Sequence, residues 1–114
     1  MAQTDPSQSQ RRRLKFSSQL EQIFLDAGLP VNLYFEPPAS VRMKYPAIIY
    51  SRDQILNRNA DNAVYTQRDE YLVTVVDKDP DSYLVRAVSK LPKSRWERGF
   101  VVDNLHHSLF SISE

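Results

Sequence analysis

Apolar and polar positions divide this chain into stretches of two periods. From Leu14 to Ala27 the apolar residues Phe16, Leu20, Ile23, Phe24 and Ala27 recur three or four positions apart, which predicts one face of an α-helix. Gly28 stops that helix and Pro30 confirms the stop. VNLYFE then alternates as a short strand, closed by Pro37-Pro38. After the polar connection ASVRMK, PAIIY opens a second strand that turns polar beyond Tyr50. The segment from Tyr65 has the reverse order, TQRDE being polar and YLVTVV apolar. Tyr71, Val73 and Val75 share one face and Leu72, Thr74 and Val76 the other, a pattern that predicts a central strand covered on each side. Two strands, each apolar at one end and polar at the other and joined by NADN, predict a long hairpin. Its base lies in the sheet and its tip in solvent.

A second helix is expected after this hairpin. Asp79 suits its N-cap, Pro80 its first position, and Asp81 complements its dipole. Leu84, Val85, Val88 and Leu91 form its apolar stripe before Pro92. Trp96, Phe100 and Val102 read as one further strand, and Leu109, Phe110 and Ile112 as another. The order α-β-β-β-α-β-β predicts an α+β domain: a mainly antiparallel sheet, a long protruding hairpin and two flanking helices. Residues 1–13 lack periodicity and read as a disordered or extended tail, leaving 14–114 as a single domain.

Length agrees with one domain, since 114 residues bury roughly two-thirds of the unfolded surface, enough for one modest core. Fifteen basic residues against 14 acidic ones give a net charge of +1, which weighs against a dedicated nucleic-acid binder. With no cysteine, disulfides, thiolate nucleophiles and Cys-type zinc sites are excluded. No apolar run approaches the length of a membrane span, and the basic run Arg11-Arg12-Arg13 is soon followed by SSQLEQ instead of an apolar core, unlike a signal peptide. The expectation is a protein made and kept in a cytoplasm.

Candidate chemistry is sparse. DKDPDS, from Asp77, has acids at alternate positions like the start of a calcium loop. That loop needs Gly at its sixth position and Glu at its twelfth, where this chain has Ser82 and Val88. A helix cap is the better reading. His106 and His107 would point to opposite faces of a strand and could not easily share a metal, and Asp103-Asn104 before them is a natural turn. Only two glycines are present, so no phosphate-cradling loop can be drawn. No catalytic residue, metal site or cofactor is expected, and the chain reads as a non-enzyme. For Arg11, Arg12 and Arg13 two readings stand: a solvated segment, or a contact with phosphate or an acidic partner. The first is favoured because three charges supply little affinity at physiological salt.

The YPAIIY strand, the hairpin carrying ADNAVY, the DEYLVTVVDKDPD strand leading into a helix, and the closing NLHHSLFSI strand resemble the tail terminator proteins of long-tailed bacteriophages, also called tail completion or tail-to-head joining proteins. The resemblance covers residues 14–113 and rests on the order of elements more than on any single motif. The N-terminal tail with its Arg triplet departs from it. It implies a small α+β subunit of the virion, assembled in the host cytoplasm as a homo-oligomeric, six-membered ring. The ring would cap the tail tube protein, halt tube polymerisation and meet the head-tail connector protein, with DNA only as passing cargo in its lumen and no membrane partner. On that reading the Asn-rich excursion of residues 52–65 is an arm reaching a neighbouring subunit or ring. Arg52, Gln54, Asn57, Arg58, Asn62 and Tyr65 would make polar contacts there, and Ile55 and Leu56 would be the anchors. Two alternatives are carried: a head-tail connector or neck component, and a small nucleic-acid-binding domain using Arg11, Arg12, Arg13 and Lys15.

Overall fold

A computed structural model describes the backbone of residues 6–60 and 63–113, and the side chains of residues 10–55 and 68–113. The elements follow in the order α1 (Pro6–Asp26), β1 (Leu33–Phe35), β2 (Ala47–Ala60), β3 (Ala63–Asp77), α2 (Tyr83–Ser89), β4 (Ser94–Val102) and β5 (Leu105–Ser113). The strands form one mixed sheet in the order β1-β2-β3-β5-β4. Only β1 and β2 pair in parallel; the other three pairings are antiparallel. The fold is α+β.

Both helices lie on one face of the sheet. Phe16, Leu20, Ile23 and Phe24 of α1 and Leu84 and Val88 of α2 are buried against Ile48, Tyr50, Tyr71, Val73, Val75, Phe110 and Ile112. Phe16 is the centre of this packing. Its ring stacks on Tyr71 at 4.7 Å between centroids and meets the edge of Tyr50 at 5.7 Å. Each such aromatic pair contributes about 1 kcal/mol beyond the area it buries. On the opposite face Ile49, Leu72, Thr74 and Leu109 are half-buried and no helix of the described residues covers them. The pattern of β3 predicts a strand covered on each side, and on this face Val76 and its register partner Ala47 are indeed buried, while Leu72 and Thr74 are half-buried. The connection after β1 does return there, where the Tyr34 hydroxyl accepts a hydrogen bond from the Lys44 N–H.

Helix α1 ends as its sequence dictates. Gly28 adopts φ 70°, the Gly28 N–H donates to Leu25 O and the Leu29 N–H to Phe24 O, the paired bonds of a Schellman motif. Its start is earlier than the apolar period indicates. Residues 6–13, expected as part of a disordered or extended tail, are helical, and residues 1–5 lie outside the described residues. Pro6 suits the first helical position, and Gln and Arg are good helix formers, so these turns need no apolar stripe of their own.

Helix α2 also starts elsewhere than expected. Its N-cap is Ser82, whose Oγ accepts from the Leu84 N–H at 3.2 Å, and not Asp79. Asp79 instead accepts the Asp81 N–H, while Asp77 accepts the Asp79 N–H. The acids of DKDPDS thus order the approach to the helix as successive Asx turns. Pro80 lies in that approach and not in the helix.

Candidate assembly interface

The sites with functional promise are surfaces, and the hairpin of β2 and β3 supplies the first. Its base sits inside the sheet: β1 flanks β2 only as far as Tyr50, and β5 flanks β3 only as far as Glu70. Beyond that point six further pairs, from Ile55↔Asp69 to Ala60↔Ala63, continue with no strand on either side. At about 3.4 Å per residue this two-stranded ribbon extends the sheet by about 20 Å. An isolated two-stranded ribbon is at best marginally stable in water, and both outer edges of this one lack a neighbouring strand among the described residues.

The base of the ribbon is locked by a polar cluster. Arg52 and Tyr71 are register partners across the two strands. The Arg52 Nε lies 3.5 Å from Oδ2 of Asp69, a carboxylate almost wholly removed from solvent, and the Tyr71 hydroxyl approaches the same oxygen at 3.4 Å. The Arg52 N–H donates to Glu36 at 3.1 Å. Burial raises the pKa of the Tyr71 hydroxyl above its ordinary 10.0, and the hydrogen bond with Arg52 opposes that shift. Arg52, expected as an interface residue, is thus engaged within its own subunit.

A bulge follows at once. The register skips Asp53, passing from Arg52↔Tyr71 to Gln54↔Glu70. The extra residue turns Ile55 onto the face shared by Asp69 and Tyr71, the face that carries the helices. Ile55 is nevertheless 51% exposed. Gln54 is exposed beside it. Leu56, Asn57, Arg58 and Tyr65 lie on the strand backbone of the ribbon, but their side chains lie outside the described residues, as does Asn62 altogether.

The arginine triplet is divided by the helix that carries it. Arg11 is exposed, whereas Arg12 and Arg13 are half-buried, and the Arg13 guanidinium lies 4.6 Å from the centre of the Phe35 ring. The three charges do not form one open patch.

The second surface is one that sequence reasoning missed. β4 is an edge strand, and all of its residues but Ser94 are exposed. Trp96 is 57% exposed, Val101 57%, Val102 48% and Phe100 39%. Trp96, Phe100 and Val102 share this strand but not a face, because the register skips Glu97. Trp96, opposite Phe110, and Val101, opposite His106, lie on the helix side; Phe100 and Val102 lie on the other. Phe100 stacks on His107 at 4.8 Å, with the Arg98 guanidinium 5.6 Å from its ring centre. Between β4 and α2 runs a groove of about 410 Å³, floored by Ser108 and Phe110 and walled by Val85, Arg86 and Trp96. No local signal marks this edge, because the place of β4 at the end of the sheet follows from the strand order.

Chemistry of other kinds has little to rest on. Among the described residues no three His, Asp or Glu side chains are grouped to hold a metal ion, and no helix is long and apolar enough to cross a membrane. His106 and His107 point to opposite faces of β5, each opposite a different residue of β4. No family model matches the chain, and no curated protein matches it significantly.

Proposed function

We propose that this protein is a virion assembly subunit of the tail-terminator type, which forms a ring on the tail tube, stops its growth and joins the tail to the head connector. The observation that carries this reading is the ribbon that runs six register pairs past its flanking strands. A folded domain gains little from extending a two-stranded ribbon into water. An assembly subunit gains a reach of about 20 Å toward its neighbour. The resemblance in the order of elements supplies the particular assembly, and the small two-helix subunit is of a size that suits ring formation. The ribbon serves as the arm, and the base cluster of Arg52, Asp69 and Tyr71 holds its direction.

The test is the phage that lacks this chain. Electron micrographs of its lysate should show overlong tails accumulating beside filled, tailless heads. Immunogold against the chain should label the head-tail junction of normal particles. Tails of normal length that merely fail to join heads would assign the chain to the connector or neck instead. Normal, joined particles would overturn the reading.

A further inference from the structure

The two edges of the sheet are built differently. The β1 edge is three residues long, bounded by Pro30 on one side and Pro37-Pro38 on the other, and prolines are a common device for blunting an edge. The β4 edge is nine residues long and contains no proline. Its first half is guarded by Arg95, Glu97, Arg98 and the bulge at Glu97. Its second half, Gly99 to Val102, carries no charge and exposes Phe100, Val101 and Val102. An uncharged, exposed, apolar edge is a template for an added strand.

We infer that this edge is a strand-addition site, and that its occupant is the β2–β3 ribbon of a second copy of the same chain. The inference rests on the ring-forming reading above and names the contact that would close the ring. Three observations point to the ribbon. It is the other long stretch of strand among the described residues with unpaired edges. Its bulge presents Ile55, half exposed, as an apolar side chain next to a free edge. Charge also matches: Asp53 at the bulge is exposed, Arg98 beside the uncharged half of β4 is exposed, and neither makes an ion pair among the described residues.

The groove supplies the specificity. In strand addition, main-chain hydrogen bonds give affinity while pockets for alternate side chains select the partner. A strand laid along β4 directs every second side chain toward the helix side, where the exposed Trp96 and Val101 offer apolar contact to one of them and the groove beside Trp96 adds the polar groups of Asp81, Arg86 and Ser89. Ile55 supplies the apolar contact. Because ribbon and edge are different surfaces, the contact is heterologous. It propagates head to tail and closes into a ring when the rotation allows, whereas a β4-to-β4 contact would stop at a dimer.

Two single variants and their mixture test this. Ile55→Ser disables the ribbon without placing a second carboxylate opposite Asp69, and Val101→Lys disables the edge; both positions are more than half exposed, so both subunits should fold with near-normal thermal melts. Sedimentation analysis of the purified chain over a wide concentration range is the readout. Wild type should form closed oligomers, and each variant alone should self-associate about thirtyfold more weakly or worse. Mixed one to one, the variants should form a dimer and nothing larger, since each retains one competent half. Ile55→Ser protein that still dimerises alone while Val101→Lys does not would show a β4-to-β4 contact and overturn the inference. Wild-type rings that persist in both variants would overturn it too, while leaving the terminator reading intact. A wild-type chain that stays monomeric throughout would also overturn it, and the terminator reading would then stand or fall on tail length alone.

Discussion

β4 and β5 are joined by a two-residue turn and paired along their whole length, yet they live in different environments. β5 lies between β3 and β4, and its Phe110, Ser111 and Ile112 are buried. β4 has a neighbour on one side only and buries none of its residues. The difference shows what backbone pairing alone does. One ladder and a well-formed turn suffice to hold β4 in the sheet, but contacts such as that of Phe100 with His107 leave its side chains exposed. Folding therefore explains why Phe110 is apolar. It does not explain why Val101 and Val102 are, and an apolar residue that folding does not require is evidence of a second use.

The largest expected effect tests that contrast directly. Phe110→Ala should cost about 3–5 kcal/mol, because it removes a fully buried ring between Val73 and Trp96 and leaves a cavity. Trp96→Ala, directly opposite it on β4, should cost below about 1 kcal/mol in the isolated subunit. Denaturant titration measures both. Similar losses at the two positions would mean that β4 is part of the core and that its exposure has no functional meaning.

Next comes the base of the ribbon, where charge is buried. Replacing Arg52 by Met removes the guanidinium that lies 3.5 Å from the buried Asp69 carboxylate. Removal of one partner from a fully buried pair costs about 3–5 kcal/mol, and the partial exposure of Arg52 reduces this to about 2 kcal/mol. Alkali should act on the same cluster. The folded state holds the Tyr71 proton more tightly than the unfolded chain does, chiefly through burial. That contribution is fully present below the unfolded pKa of about 10 and is lost as pH rises through the higher folded value. Stability measured against pH should therefore fall above that range, and Tyr71→Phe should flatten the fall. An unchanged alkaline limb would remove Tyr71 from the account.

Much of this architecture is legible in the sequence, and the exceptions have physical causes. The helix face of Phe16, Leu20, Ile23 and Phe24, the stripe of Leu84 and Val88, and the turn at Asp103-Asn104 all follow from period and residue type. The first two turns of α1 do not, because polar helix formers leave no period to read. The bulges at Asp53 and Glu97 are also silent, though each changes which face the following residues occupy. Hence Ile55 was recognisable as an apolar residue in a polar stretch, but not as one turned to the helix side. The exposure of β4 depends on strand order, which no local pattern contains.

The cap of α2 shows how two good local signals compete. Asp79 and Ser82 are both strong capping types, and Pro80 favours the earlier start. The structure places the cap at Ser82, which is buried. Ser82→Ala should therefore cost about 1 kcal/mol, and Asp79→Ala, which loses only an exposed Asx turn, no more than about 0.5 kcal/mol. Thermal melts that rank the two the other way would restore Asp79 as the cap.

The smallest effect lies at the joint between the two strands compared above. Asp103 and Asn104 have φ 52° and 63°, both in the left-handed region, as a two-residue type I′ connection requires. Asn and Asp tolerate that region; glycine enters it without steric cost but loses more entropy on folding. Asn104→Gly balances these terms and should change stability by no more than about 0.5 kcal/mol. Its value is diagnostic. Because the turn and a single ladder hold β4, amide exchange in the free subunit should be faster along β4 than along β5. Asn104→Gly should leave that order intact, while assembly should slow exchange on β4 selectively. Uniform protection of the two strands in the free subunit would show that β4 is not an open edge.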